Sequence, residues 1–275
     1  MKVAIQGIEA CFHEMAALKY FGNDIQPVAC MTFKQLCEAV KDGTAEYGVM
    51  AIENSIAGSL LQNYALLMRY GFHVVGEVYL NIQMNLMALP GQSISDIEVV
   101  QSHPIALSQC SEYLWNLSHV NWVEVDDTAL AAKDIADLKK MKVAAVANKL
   151  AADRYGLEIL AERIETHHQN FTRFLIISKS YEKVFDANKA STCIQLRHEN
   201  GSLAKVLNLF SKLNLNLTKI QSVPIIGKPY EYKFHIDMEW IDYVDFRRAI
   251  EEINQFTTSV KVIGEYKKGT FKLEA

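Results

Sequence analysis

Short apolar runs alternate with amphipathic segments over the first two-thirds of the chain, and this alternation limits the fold more than any other feature. Apolar runs such as residues 47–52 and 171–178 are typical of buried strands. Upstream of the first run, a segment opens with a capping box of Thr32 and Gln35 and stops at a glycine, as a helix does. Strands that alternate with helices favour a parallel α/β sheet, and the extended region 74–89 predicts two lobes.

The pattern changes after Ser180. Residues 181–189 are polar and charged, which predicts a linker. The predicted elements beyond it are a strand at 191–198, a helix at 202–213, strands at 217–224 and 231–239, a helix at 243–256 and a strand at 260–266. The order β-α-β-β-α-β is typical of a small ferredoxin-like sheet with helices on one face. We therefore predict two domains.

Charge and cysteine usage exclude several classes of protein. With a net charge of -4 and a pI of about 6.1, the chain lacks the basic footprint of a nucleic-acid-binding protein. It has no apolar stretch of the ~20 residues that span a membrane, and its first residues lack the apolar core of a secretory signal. The 5 cysteines are scattered and indicate reduced thiols. We expect a soluble cytoplasmic protein that binds neither nucleic acid nor membrane.

Polar groups recur where predicted strands give way to helices. These groups are Glu53-Asn54-Ser55, Ser102-His103, Asp127-Thr128 and Thr172-Arg173. Such junctions converge at one edge of a sheet, where helix N-termini favour an anionic ligand. Gln109 lies two helical turns beyond Ser102 and can share its face. Arg173 offers a planar fork for a carboxylate, and Thr172 a short hydroxyl with little rotamer freedom.

Other chemistries lack a motif in this sequence. The first turn, Gly7-Ile8-Glu9-Ala10, lacks the glycines of a dinucleotide loop, and no phosphate loop with lysine occurs. The histidines have no spacing typical of zinc, and no Gly-x-Ser-x-Gly elbow is present. We therefore expect no cofactor and no metal. What remains is binding of a dicarboxylate with acid-assisted chemistry.

Four motifs together resemble those of prephenate dehydratase. They are Glu53-Asn54-Ser55-Ile56-Ala57-Gly58-Ser59, Ser102-His103-Pro104 with Gln109-Cys110, Tyr155-Gly156-Leu157, and Asn170-Phe171-Thr172-Arg173-Phe174. The C-terminal region resembles the ACT regulatory module of that family. The resemblance implies a two-lobed catalytic domain at 1–180, similar to type 2 periplasmic binding proteins. Its lobes would be about 1–78 with 165–180, and 79–164, with the ACT domain at 190–267.

The resemblance also implies an activity, the conversion of prephenate to phenylpyruvate, water and carbon dioxide in L-phenylalanine biosynthesis. Thr172 would lie nearest the leaving hydroxyl, with Glu53 or a water as a proton source. Asn54, Ser55, Ser102 and Gln109 would hold substrate oxygens. Arg173 could bind a carboxylate, but neighbours on a strand point to opposite faces, which favours a structural role.

The first loop departs from the family pattern. Where the family has a Gly-Thr-Phe-Ser-like run, this chain reads Ala10-Cys11-Phe12-His13. If the loop touches substrate, Cys11 and His13 must replace two hydroxyls. Cys11 is a weak donor, and His13 could titrate near neutral pH.

The expected effector is L-phenylalanine, bound by the ACT module. One segment would be Asn200-Gly201-Ser202-Leu203, whose backbone N–H groups can receive a carboxylate. The other, normally Glu-Ser-Arg-Pro, reads Gln221-Ser222-Val223-Pro224 and lacks both charges. Modules of this type pair, so a homodimer or homotetramer is expected. Two alternatives stay open: an arogenate dehydratase, and a non-catalytic protein that senses an amino acid.

Overall fold

The computed structural model describes residues 1–197, 199–225 and 227–271. The strands are β1 (Lys2–Gln6), β2 (Gln26–Cys30), β3 (Tyr47–Asn54), β4 (Gly58–Ser59), β5 (His73–Asn81), β6 (Asn85–Ala88), β7 (Val99–Ser102), β8 (Asn121–Glu124), β9 (Val143–Ala147), β10 (Glu158–Ala161), β11 (Phe171–Ser178), β12 (Lys189–Leu196), β13 (Asn216–Pro224), β14 (Tyr232–Glu239) and β15 (Thr257–Tyr266). The helices are α1 (Phe12–Phe21), α2 (Phe33–Asp42), α3 (Leu61–Tyr70), α4 (Pro104–Gln109), α5 (Ser111–Trp115), α6 (Thr128–Asp137), α7 (Lys149–Tyr155), α8 (Ser202–Lys212) and α9 (Tyr243–Glu252). Within these ranges, no helix is long and apolar enough to cross a membrane.

The first sheet has the strand order β2-β1-β3-β11-β5, and β4 pairs with β3. Strand β1 runs parallel to both β2 and β3. The predicted capping box is present at the start of α2, where the Thr32 hydroxyl accepts from the Gln35 N–H and the Gln35 side chain accepts from the Thr32 N–H. Local chemistry therefore determines where this helix begins.

The second sheet has the order β10-β6-β9-β7-β8. Strand β7 is parallel to β8 and β9, as predicted, but β6 is antiparallel to both β9 and β10. The predicted parallel pairing therefore holds for β7 but not for β6. Strand β6 enters this sheet from β5 of the first sheet through the short segment 82–84, and not from a crossover helix of its own sheet.

The third sheet is antiparallel throughout, with the order β13-β14-β12-β15. Helices α8 and α9 contribute Phe210 and Phe246 to its core, which also contains Ile236 and Trp240. The element order β12-α8-β13-β14-α9-β15 confirms the ferredoxin-like part of the predicted fold class, beside the two α/β sheets of the remaining chain. His198, the end of the predicted first strand, lies outside the described residues.

Two compact units divide the chain. The first comprises Met1–Leu60, Val78–Phe174 and the chain end from Phe271. It contains the whole second sheet and most of the first. The second comprises Leu61–Glu77 and Leu175–Thr270, and so contains the third sheet with α3 and the beginning of β5. The domain limits expected from the sequence stay a prediction.

Two predicted helices differ from those observed. The sequence alone predicts that a helix opens at Gly58-Ser59 and runs to Arg69, but these two residues form β4, and α3 begins at Leu61. Gly58 has a φ of 84°, which belongs to a turn and not to a right-handed helix. The helix expected from Pro104 to about residue 117 is interrupted at Cys110, which separates α4 from α5. Strands β2 and β10 were not predicted.

Candidate active site

A row of polar side chains links the ends of β3 and β11 to α4. Asn54 Nδ2 donates to Thr172 Oγ1 at 2.9 Å and to Asn170 Oδ1 at 2.7 Å. Asn170 Nδ2 in turn donates to Gln109 Oε1 at 3.0 Å. The structure therefore brings together three residues predicted from the sequence, namely Thr172, Asn54 and Gln109. The row also contains Asn170, which belongs to one of the sequence motifs but for which the sequence predicted no role.

The orientation of Asn54 follows from its backbone partners. Its Oδ1 atom accepts from the N–H groups of Ile56 and Ala57, at 3.0 and 2.8 Å. The opposite end of the amide must therefore be the NH2 group, which faces Thr172 and Asn170. Since the Thr172 oxygen accepts a hydrogen bond from Asn54, its own proton is available for another acceptor.

Ser55 joins the ends of the same two strands. Its N–H donates to the Phe171 carbonyl at 2.8 Å, and its Oγ accepts from the Phe171 N–H at 2.9 Å. The Ser55 hydroxyl also donates to the Gln169 carbonyl, at 3.3 Å. These bonds hold β3 and β11 in register beside Thr172.

Ser102 and Gln109 lie on consecutive elements but differ in their surroundings. Ser102 ends β7, is fully buried, and donates from its hydroxyl to the Val146 carbonyl at 2.6 Å. Gln109 ends α4, is half-buried, and reaches Asn170. Ser102 and Gln109 were expected to share one face, but their side chains have different partners. The Ser102 hydroxyl is bonded to a backbone carbonyl of β9, whereas Gln109 contacts Asn170.

Glu53 and Arg173 are the strand neighbours of Asn54 and Thr172. Successive side chains in a strand point to opposite faces, so both lie away from the polar row. Arg173 is only 4% exposed, with its guanidinium carbon 6.0 Å from the centroid of the Tyr79 ring. That distance suits a cation–π contact.

Cys11, the N-cap residue of α1, is buried in the first loop. Its thiol donates to the Gln6 carbonyl at 3.3 Å. Burial raises the pKa of Cys11 to about 12, so the thiol stays protonated at neutral pH. It can act as a weak donor but not as a thiolate.

His13 lies between two aromatic rings. Phe33 and Phe174 contact it edge-on, with ring centroids 5.5 and 5.0 Å away. Burial lowers the pKa of His13 to about 3, and within the described part of the chain its Nε2 atom has no hydrogen-bond partner. The expectation that His13 titrates near neutral pH is therefore wrong, because the imidazolium would lose its hydration.

Asp127 caps α6 and faces the first loop. Its Oδ1 accepts from the N–H groups of Ala129 and Leu130, at 2.8 and 2.9 Å. Burial raises the pKa of Asp127, while these bonds and the nearby His103 oppose the rise. A Cβ on Gly7 would stand 3.1 Å from Asp127 Oδ2, and Gly7 has a φ of 104°. The loop therefore needs glycine for both space and backbone conformation.

The effector segments predicted from the sequence are placed on two elements. Gly201, which follows Asn200, is the N-cap of α8 with a φ of 74°. Ser202 and Leu203 line a cavity of about 160 Å³ together with Leu196, Arg197, Glu199, Tyr230, Glu231, Tyr232 and Phe234. Gln221 and Ser222 lie on β13, where Gln221 Nε2 donates to the Ser222 carbonyl at 2.9 Å. They do not belong to this lining.

Comparison with known proteins matches this chain to one enzyme family. A family model described as prephenate dehydratase matches residues 3–182. A bifunctional chorismate mutase/prephenate dehydratase of Aquifex aeolicus is 36% identical over 270 residues, covering 98% of this chain and 74% of that protein. An arogenate dehydratase/prephenate dehydratase of Arabidopsis thaliana is 35% identical over 284 residues, covering 97% of this chain and 72% of that protein.

Two solved structures share the fold over nearly the whole chain. A prephenate dehydratase from Staphylococcus aureus has a TM-score of 0.82 and 28% identity, and the match covers 97% of this chain and all of that one. A protein described as a novel type of quorum quenching acylase has a TM-score of 0.88 and 28% identity, with 98% of each chain covered.

Proposed function

Because the chain belongs to the prephenate dehydratase family, we propose that it converts prephenate to phenylpyruvate, water and carbon dioxide. The observation that carries the proposal is the hydrogen bond from Asn54 to Thr172. It leaves a hydroxyl donor of fixed orientation at the end of a buried strand. Such a donor is what the departure of a ring hydroxyl requires.

In this reaction the ring C–O bond and the bond to the ring carboxylate break. The electrons of the carboxylate bond move into the ring, carbon dioxide leaves, and the ring becomes aromatic. The departing oxygen takes up a proton to become water. Thr172 would stabilise that oxygen through its O–H, while a water supplies the proton needed to form the product water, because Glu53 lies away from the polar row. Orientation and one well-placed donor are enough, since aromatisation drives the step.

Gln109 suits a second role, the binding of a substrate carboxylate or keto oxygen. Its Oε1 atom accepts from Asn170, so its NH2 group points elsewhere and can donate. Asn54 uses its amide to orient Thr172. We assign Ser55 and Ser102 to holding strand ends, since both hydroxyls donate to backbone carbonyls.

Two further residues have structural roles near the site. The Arg173 side chain is buried beside Tyr79, on the face of β11 opposite Thr172. The Cys11 thiol is buried and bonded to the Gln6 carbonyl, so the first loop would offer the ligand its backbone and not this thiol.

Purified protein incubated with prephenate, and separately with arogenate, tests the proposal. The two substrates share the ring chemistry and differ in a keto or ammonium group on the side chain. We expect phenylpyruvate to form from prephenate faster than phenylalanine forms from arogenate. Faster turnover of arogenate would make the chain an arogenate dehydratase. If the protein turns over neither substrate, the alternative of a non-catalytic amino-acid sensor remains.

We assign the ferredoxin-like domain as an ACT module that binds L-phenylalanine. The cavity at the start of α8 supports this, because Arg197 and Glu231 offer opposite charges for an amino acid's carboxylate and ammonium groups. Leu203 and Phe234 supply apolar surface for a side chain. Calorimetry with L-phenylalanine should show binding, with L-alanine as the control. Pairing of such modules would give a homodimer or homotetramer, which sedimentation can measure.

A further inference from the structure

Two side chains from the region of α7 hold the backbone of the first loop. Asn148, the N-cap of α7, donates from Nδ2 to the Ala10 carbonyl at 2.8 Å. Tyr155, at the end of the same helix, donates to the Glu9 carbonyl at 2.7 Å. Helix α7 follows β9 of the second sheet, whereas the loop follows β1 of the first. The Tyr155 motif noticed in the sequence therefore connects the two sheets.

A partly buried ion pair strengthens the same connection. Arg154 donates from Nη2 to Glu14 Oε1 and from Nη1 to Glu9 Oε2, both at 2.9 Å. The Glu14 side chain is 3% exposed, while that of Glu9 is 62% exposed. The other carboxylate oxygen of Glu14 accepts from the Ala10 N–H. Arg154 therefore neutralises a carboxylate that itself holds the loop backbone.

Ala10 has a backbone conformation that is unfavourable for a residue with a Cβ atom. It is fully buried, with a φ of 66°, in the left-handed region that residues with a Cβ rarely adopt. Its N–H is held by Glu14 and its carbonyl by Asn148. The loop between Gly7 and Cys11 therefore keeps its shape because of tertiary contacts.

We propose that Arg154 and Tyr155 are positioning residues, which clamp the first loop to the second sheet and so set the spacing at which Thr172 and Gln109 act on one substrate. The inference rests on the proposed dehydratase function. Substrate groups are gripped by residues from both sheets, since Asn54 and Thr172 end strands of the first and Gln109 follows β7 of the second. A displacement of about 1 Å between such groups can lower a rate by about 100-fold.

The test separates positioning from stability with a paired substitution. Arg154→Met leaves Glu14 buried without its partner, so this variant should lose both stability and turnover. The double variant Arg154→Met with Glu14→Gln removes the unpaired charge and should regain much of its thermal stability. If the clamp positions the loop, the double variant keeps a kcat about 10- to 100-fold below wild type with a smaller change in KM. Recovery of kcat together with stability would overturn the proposal.

Two milder variants and a control complete the set. Arg154→Lys keeps the charge but not the planar fork, and should fall between wild type and Arg154→Met in kcat. Tyr155→Phe removes one hydrogen bond and should lower kcat less than Arg154→Met does. Arg248→Met is the matched control, because Arg248 pairs only along α9 with Glu252 in the described contacts. Its kcat should equal that of the wild type.

Amide hydrogen exchange tests, independently of activity, whether Arg154 holds the first loop in place. Residues 9–11 should exchange faster in the double variant than in the wild type and in Arg248→Met, because the loop loses its bonds to Arg154. Unchanged exchange there would overturn the clamp. A wild-type protein that turns over neither prephenate nor arogenate would instead overturn the proposed function, and the exchange result would still stand.

Discussion

The side-chain amide of Asn54 donates a hydrogen bond of 2.9 Å to the hydroxyl oxygen of Thr172, across a sequence separation of 118 residues. The same amide group also reaches Asn170, and its oxygen is held by two backbone N–H groups. Asn54 therefore has a fixed orientation, and through it the Thr172 hydroxyl can donate in only a narrow range of directions.

Thr172→Ala should lower kcat by about 100-fold, because the donor nearest the leaving hydroxyl is lost. Thr172→Ser retains the hydroxyl and the bond from Asn54, so it should stay within about 10-fold of the wild type. Steady-state formation of phenylpyruvate from prephenate measures both variants. Full turnover by Thr172→Ala would remove Thr172 from the mechanism.

Asn54→Asp should cost more activity than its small change in shape suggests. The substitution replaces a donor with an acceptor, so the contact with Asn170 Oδ1 becomes repulsive. The Thr172 hydroxyl would then donate to the new carboxylate and no longer to the substrate. We expect kcat to fall by at least about 10-fold. The exposed Asn116→Asp is the control, since in the described part of the chain the Asn116 side chain donates only to the Glu112 carbonyl. Equal rates for the two variants would contradict the orienting role of Asn54.

Acid should destabilise the protein through His13. Burial lowers its pKa from 6.5 to about 3. Between these values the unfolded chain binds a proton that the folded chain does not, so the free energy of unfolding falls as the pH falls. From pH 6.5 to 5 the loss is about 2 kcal/mol.

His13→Phe should remove that contribution, since a phenyl ring can pack between Phe33 and Phe174 without binding a proton. Urea unfolding over the same pH window measures the difference between the two slopes. The exposed His167→Gln serves as the control and should retain the wild-type slope. A His13→Phe variant with that same slope would show that His13 is not the group responsible.

A buried ion pair within the second compact unit offers a test of stability. Lys189 Nζ lies 3.0 Å from Glu77 Oε1, and the two side chains are 2% and 0% exposed. Lys189→Met should lower the free energy of unfolding by about 3–5 kcal/mol, because it removes the cationic partner of a buried carboxylate.

The double variant Lys189→Met with Glu77→Gln should recover part of that loss, since no charge is then buried. Lys267→Met is the control, because its partner Asp186 is exposed, and it should unfold at the wild-type denaturant concentration. Chemical denaturation measures all three. A Lys189→Met variant as stable as the wild type would mean that water reaches Glu77.

Local chemistry explains the predictions from sequence that the structure confirms. Thr32 and Gln35 form their capping box, Asp127 caps α6, and α7 ends at a left-handed Gly156. Each of these features depends on residues within one helical turn. The two expected α/β lobes and the ferredoxin-like order likewise follow from patterns that are visible in the chain.

Features that the sequence did not reveal depend on distant partners. Lys189 was expected in a polar linker but begins β12 as a buried residue, because Glu77 pairs with it. His13 and Cys11 have ordinary pKa values as isolated residues, and burial shifts them in opposite directions. The alternation of hydrophobicity does not contain this information.

By itself, the sequence determined the alternation of strands and helices, several helix caps and the family, because each is encoded in short segments. Only the tertiary structure decided that Asn54 orients Thr172, that Gln109 rather than Ser102 meets Asn170, and which groups hold Ala10. The physical reason is that hydrogen-bond partners and desolvation are set by residues far apart in the chain, which only folding brings within contact.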